Sequence, residues 1–188
     1  MRRFVLSLIA LVFTAILSIS YAEEPRPFGL ILGKTTKEEA IEILQKEGGR
    51  ITKSGYKIVK GDIVNKDVEG VEFKGLPVDN LIKATLWFYK GVLYEVEYQF
   101  PLSMSKEEFD VVYKKLQAKY GKPVIYVRPY LADGRAVWRF KDVEVELLAP
   151  WASWSMYLTY THIPLFNKVK ISDRQVLEEE TRKPQKGF

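Results

Sequence analysis

Two ten-residue segments of this chain, Trp87–Val96 and Trp138–Leu147, align without gaps. Each holds a turn-forming pair between runs of aromatic and β-branched residues, the pattern of a β-hairpin. A two-residue turn at Lys90-Gly91 pairs Trp87 with Tyr94, Tyr89 with Val92 and Thr85 with Val96 on one face, with Tyr98 continuing it. A matching turn at Lys141-Asp142 pairs Phe140 with Val143, Trp138 with Val145 and Ala136 with Leu147. Arg139 and Glu144 then oppose each other on the outer face as an attractive cross-strand pair. A slip of one residue would bury that ion pair and expose the tryptophan, so the register is well specified.

A helix signal precedes each hairpin. Thr36-Lys37-Glu38-Glu39 and Ser105-Lys106-Glu107-Glu108 both read as capping boxes, a hydroxyl at the N-cap and a glutamate three residues on. The first helix carries Ala40, Ile41, Ile43 and Leu44 and stops at Gly48-Gly49. The second carries Phe109, Val112, Tyr113, Leu116 and Tyr120 at helical spacing and stops at Gly121. The first copy holds extra residues between helix and hairpin, placed at Ser54 to Asn80. Further strands are expected over Gly49–Lys53, Tyr56–Val59, Gly70–Gly75, Val124–Arg128 and Trp154–Thr161. In the last, Trp154, Met156, Leu158 and Tyr160 share the inward face. The expected fold is α+β: two unequal helix-plus-antiparallel-sheet repeats, with the helices packed on one face of the sheet. Unit one covers about residues 28–102 and unit two about 103–164, within a domain of residues 23–164. Residues 165–188 read as a departing tail, partly helical over Ser172–Arg182 or disordered. Trp87 and Trp138 are expected at equivalent core positions.

The first 22 residues read as an export signal. Arg2 and Arg3 precede an apolar run from Phe4 to Leu17, and Ser20-Tyr21-Ala22 is a small-x-small cleavage site. The expected localisation is periplasmic or secreted; the alternative is a retained N-terminal membrane anchor. This argues against ATP-driven, nicotinamide-dependent and genome-binding roles. The chain has no cysteine, which excludes a disulfide framework, a thiolate metal site and a cysteine nucleophile. Losing Arg2 and Arg3 from 29 basic residues, against 24 acidic ones, lowers the net charge from +5 to +3. The charges are interspersed, so nucleic acid is not an expected partner.

Tandem helix-plus-sheet units resemble the BLIP-like fold. Gly33-Lys34-Thr35-Thr36-Lys37-Glu38-Glu39 is also similar to the Gly-x-Thr helix start of the SmpA/OmlA family of small outer-membrane assembly proteins. The lipid-anchoring cysteine of that family is missing here, so outer-membrane attachment is not implied. The resemblance implies a non-catalytic envelope protein that binds other proteins.

No residue pattern points to catalysis. His162 is the only histidine, with no nucleophile elbow beside it, and reads as a strand-end residue with a structural hydrogen bond. Asp62, Asn65, Asp67 and Glu69 lack the spacing of a calcium loop and read as a solvated turn. Glu95, Glu97, Glu144 and Glu146 alternate outward on strands, which accounts for them without a carboxylate pair. No metal and no cofactor is expected. Trp151, in a proline-bearing loop, and Tyr126 and Tyr130, near Pro129, remain uncommitted to the core. They are the candidate binding residues, because exposed tryptophan and tyrosine favour contact with a protein, a glycan or a membrane surface. The expected function is an exported non-catalytic binding protein of the bacterial envelope whose partner is another envelope protein, with peripheral membrane contact as a further option. The alternatives are an inhibitor of an extracellular enzyme, and a periplasmic hydrolase or small-ligand carrier.

Overall fold

A computed structural model describes residues 24–182. The expected signal segment, residues 1–22, and the expected disordered end of the tail, 183–188, lie outside them. Eight antiparallel strands form one sheet: β1 (Arg50–Lys60), β2 (Ile63–Lys74), β3 (Lys83–Tyr89), β4 (Val92–Pro101), β5 (Ile125–Val127), β6 (Gly134–Arg139), β7 (Val143–Ala149) and β8 (Ser155–His162). Their order is β1-β2-β3-β4-β8-β7-β6-β5. Helix α1 (Lys37–Lys46) precedes the first four strands, α2 (Glu107–Tyr120) the second four, and α3 (Ile163–Arg182) ends the described chain. The last strands of the two runs, β4 and β8, meet at the centre, Val96 opposite Tyr160 and Tyr98 opposite Leu158.

The main core lies between the sheet and helices α1 and α2. Ala40 and Leu44 of α1 and Phe109 and Leu116 of α2 join Phe73, Leu86, Phe88, Val96, Trp138 and Leu147 there, all almost fully buried. The hydroxyl and carboxylate of Thr36 and Glu39 form the expected reciprocal cap. The cap of α2 differs. Lys106, with φ 61°, is its N-cap, and Glu108 bonds back to Ser103, accepting from its backbone N at 3.1 Å and its Oγ at 2.7 Å. Ser105 does not cap because the left-handed Lys106 turns the chain between them.

The β6–β7 hairpin keeps the expected register: Trp138 faces Val145, Ala136 faces Leu147, and Arg139 Nε donates to Glu144 Oε2 at 2.9 Å. The β3–β4 hairpin does not. Tyr89 faces Val92 and Phe88 faces Leu93, but Trp87 then faces Glu95. A bulge at Tyr94 inserts one residue and inverts the parity of everything beyond it. Val96 and Tyr98 enter the main core, while Trp87, Tyr89 and Tyr94 turn to the opposite face. Trp87 and Trp138 therefore lie on opposite faces of the sheet, not at equivalent positions. Gly70 makes room for Trp87: a Cβ there would sit 2.7 Å from the indole.

Not all helices lie on one face. Helix α3 returns across the side opposite α1 and α2, burying Val169 against Val68 and Tyr94 and packing Leu165 and Phe166 there. The expected departing tail is thus part of the fold, and its helix starts at Ile163, not Ser172. Pro164 does not delay it, since a missing N–H in the first turn is no loss. Asn65, 1% exposed, ties it down through Nδ2, which donates to Ser172 Oγ at 3.0 Å and Asp173 Oδ1 at 2.8 Å. The expected strands over Gly49–Lys53 and Tyr56–Val59 are one bulged edge strand, β1.

Candidate binding surface

Three connections meet at one end of the sheet: 102–106 into α2, 128–134 into β6, and 149–155 from β7 to β8. The β7–β8 loop wraps an ammonium group. Lys106 is buried, and its Nζ donates to the carbonyl oxygens of Trp151 and Ser153, each at 3.2 Å, and of Pro150 at 3.4 Å. No carboxylate takes part in these three bonds. Three carbonyl dipoles instead point at one cation, which closes the loop around it. Asp133 Oδ1 accepts from the Trp151 backbone N at 2.7 Å. Ser153 Oγ both donates to Ser155 O at 2.9 Å and accepts from Ser155 N at 3.0 Å. Trp154 O accepts from Leu102 N at 2.9 Å.

The loop backbone is therefore fixed, yet its large side chains face water. Trp151 is 58% exposed, Trp154 70%, Tyr130 79% and Met104 79%. These four, with Lys106 and Ala152, line a hollow of about 340 Å³. Leu131, also exposed, sits in the adjoining connection. A rigid loop holding aromatics out of the core binds with little ordering cost. Such a cluster exceeds the scattered apolar residues of an ordinary surface.

Of the three sequence candidates, Trp151 and Tyr130 come together here. Tyr126 does not. It sits on the edge strand β5 with its ring 4.6 Å from that of Tyr113 of α2. Trp154 was expected inward, but β8 begins at Ser155, so the alternation does not reach it. Met104 carries a weak signal at most, an apolar residue between Ser103 and Ser105 ahead of a helix.

Most of the other candidate groups have structural partners. His162 Nδ1 accepts from Leu165 N at 3.3 Å in the first turn of α3. Its ring fills the space beside Gly33, where a Cβ would lie 2.5 Å from Nε2, and burial lowers its pKa. It lines a broad basin of about 870 Å³ with Lys34, Lys122 and Arg139. Asp67 pairs with Lys90 and Glu69 with Lys37. Glu144 and Glu146 are taken by Arg139 and Arg135. Glu95 stands apart. Burial pushes its carboxyl up to about 7, against a hydrogen bond from Thr161 that acts the other way. Among the described residues no group of three or more acidic or histidine side chains is placed to hold a metal.

Residues 26–172 match the family model described as the TP0088 domain, so the chain belongs to that family. The match spans the whole sheet and the three connections that carry the exposed aromatics. No curated protein and no solved structure matches the chain.

Proposed function

We propose that this protein is exported and binds another protein of the bacterial cell envelope, without catalysing a reaction. The observation that carries this reading is the Lys106-clamped loop, which holds Trp151 in water on a backbone already ordered. Tryptophan and tyrosine dominate protein-binding hot spots when they are presented rigidly. The export step rests on the signal-like sequence of residues 1–22. Among the described residues no helix is long and apolar enough to cross a membrane.

The two-unit architecture belongs to the same proposal. It is supported by the order β1-β2-β3-β4 followed by β8-β7-β6-β5, with one helix ahead of each run of four. In that scheme β3–β4 corresponds to β7–β8, so the hairpin similarity seen in the sequence falls on strands that are not counterparts. The likeness to the BLIP-like fold and to SmpA/OmlA proteins rests on this element order and on the Gly33 to Glu39 helix start.

The test is site-specific photo-crosslinking from Ala152 in intact cells, followed by identification of the adduct. Trp151→Ala and Trp154→Ala should each weaken capture of the adduct partner by about 2 kcal/mol or more, the hot-spot scale. Unchanged capture in both variants would remove this surface from the proposal. An enzyme found in the adduct, inhibited by the wild type and not by Trp151→Ala, would favour the inhibitor reading. The projecting, proline-flanked Trp151 suits that reading as well. Sedimentation with lipid vesicles and no protein adduct would favour peripheral membrane contact.

A further inference from the structure

A second hollow, of about 330 Å³, lies between helix α2, the sheet and the connection from β2 to β3. It shares no lining residue with the aromatic tip. Phe100, Val112, Leu116 and Leu158 give it apolar walls. Tyr98 and Tyr160 also line it, each 5% exposed, with ring centroids 5.9 Å apart in an edge-to-face arrangement.

Tyr120, at the end of α2, lines the basin beside His162 and brings its hydroxyl close to Tyr98 and Tyr160. Its Oη is buried and has no hydrogen-bond partner. It raises the pKa of Tyr98 and Tyr160, after the larger effect of burial, and it approaches the Tyr160 hydroxyl without completing a well-formed hydrogen bond. Native proteins seldom leave a buried polar group unpaired, and an orphan calls for a specific explanation. The contrast is close by: the Trp138 indole Nε1, also in the core, donates to Gly121 O at 2.9 Å. The rim carries Lys115 and Asp79, paired at 3.3 Å but mostly exposed and so weakly held.

We infer that this hollow is a binding site for a small uncharged amphiphile, its apolar body between α2 and the sheet and its carbonyl or hydroxyl oxygen on the tyrosine cluster. The size follows from the volume, which sits at the lower end of ligand pockets and holds on the order of ten heavy atoms at ~30 Å³ each. The lack of charge follows from the donors. Lys115, mostly exposed, is the one cation among the described residues that line the hollow. A carboxylate would enter a site of neutral dipoles, with its only nearby cation at the exposed rim, and burying a charge without a counter-ion is unfavourable. A ketone, alcohol or ester oxygen needs only hydroxyl donors. Burial keeps the Tyr98 and Tyr160 phenols protonated at physiological pH, so both remain donors.

The experiment is a titration of the whole exported protein, labelled at Leu and Val methyl groups, with 2-octanone, n-octane and octanoate. Saturable shifts confined to the methyls of Val112, Leu116 and Leu158 are expected with 2-octanone, and weaker binding with octanoate. Tyr98→Phe and Tyr160→Phe should each weaken 2-octanone roughly threefold to tenfold, the scale of one hydrogen bond, and leave n-octane unchanged. Both variants should fold, since each keeps its ring. If one fails to fold, the other carries the comparison. Val112→Trp, which fills the hollow, should abolish saturable binding. Absence of saturable shifts at these methyls, or phenylalanine variants that both bind the ketone like the wild type, would overturn the inference.

Discussion

The Lys106 ammonium donates to the Trp151 carbonyl at 3.2 Å, while the Trp151 side chain remains more than half exposed. A buried cation and an exposed indole thus belong to one device: the first orders the loop that presents the second. Lys106→Met keeps the aliphatic stem and removes the donor. It leaves three carbonyl groups to find water, so a stability loss of about 1–3 kcal/mol is expected. Amide exchange at Ala152 and Ser153 should quicken with it. Unchanged exchange at those amides would show that the ammonium does not order the loop.

Trp138 and Trp87 should respond differently to truncation. Trp138 is 2% exposed in the main core and donates to Gly121 O. Trp138→Ala should cost about 3–5 kcal/mol by denaturant unfolding. Trp87 lies across Gly70 on the face that α3 only partly covers. Trp87→Ala should cost about half as much or less. Equal losses would mean that the two rings are buried alike, as the unbulged hairpin register requires.

How far the sequence could be read depends on whether a signal is local. The Thr36–Glu39 cap and the Arg139–Glu144 pair are set by residues within a few positions of each other, and both form as expected. Tyr94 gives no local sign that it will bulge. On the face to which the bulge turns it, its ring stacks on Phe166, 72 positions along the chain. Helix α3 was hidden for a similar reason. Its apolar side is narrow, and its polar anchors are distant in sequence: Asn65 with Ser172 and Asp173, and Lys57 with Asp173. Trp151 and Tyr130 are legible because Pro129 and Pro150 mark loops. Trp154 is not, because it abuts a clean alternation. The orphaned Tyr120 hydroxyl was beyond reach, since helical spacing assigns its ring to the core and says nothing of its oxygen.

The α2 cap makes a sharp test between neighbouring serines. Ser103 is bonded to Glu108 through both its N and its Oγ, whereas Ser105 Oγ meets only Ser103 Oγ. Ser103→Ala should cost about 1 kcal/mol, the usual value of a lost cap, and Ser105→Ala a few tenths at most. Reversed losses in thermal unfolding would restore the Ser105 capping box.

Glu95 makes stability depend on pH in an unusual direction. Burial raises its carboxyl from 4.5 to about 7, the neighbouring Glu97 adds to the rise, and Thr161 and Lys57 oppose it. The folded state therefore holds this proton more tightly than the unfolded state. The contribution is fully present below about 4.5 and is lost as pH rises to about 7. Glu95→Gln should be more stable than wild type at pH 7 by on the order of 1–3 kcal/mol, with the advantage shrinking towards pH 4.5. An advantage that does not change between those pH values would show that the carboxyl titrates normally.

The last prediction concerns how α3 is held. Asn65 Nδ2 donates to Ser172 and Asp173, and Lys57 Nζ pairs with Asp173 Oδ2 at 2.7 Å, so β1 and β2 grip one turn of the helix. Val169 sits one turn earlier, buried against Val68 and Tyr94. Asn65→Ala removes both donors and leaves the Ser172 hydroxyl buried without its partner, a loss of about 1–3 kcal/mol. The loss should be local, because helices α1 and α2 pack on the other face. Amide exchange should accelerate across α3 and at Val68 and Tyr94, with little change at Leu116 or Leu147. Lys57→Met should have a smaller effect, since the Asp173 carboxylate keeps its bond from Asn65 and that ion pair is partly solvated. Uniform acceleration through the whole sheet would instead mean that α3 and the main core unfold as one unit.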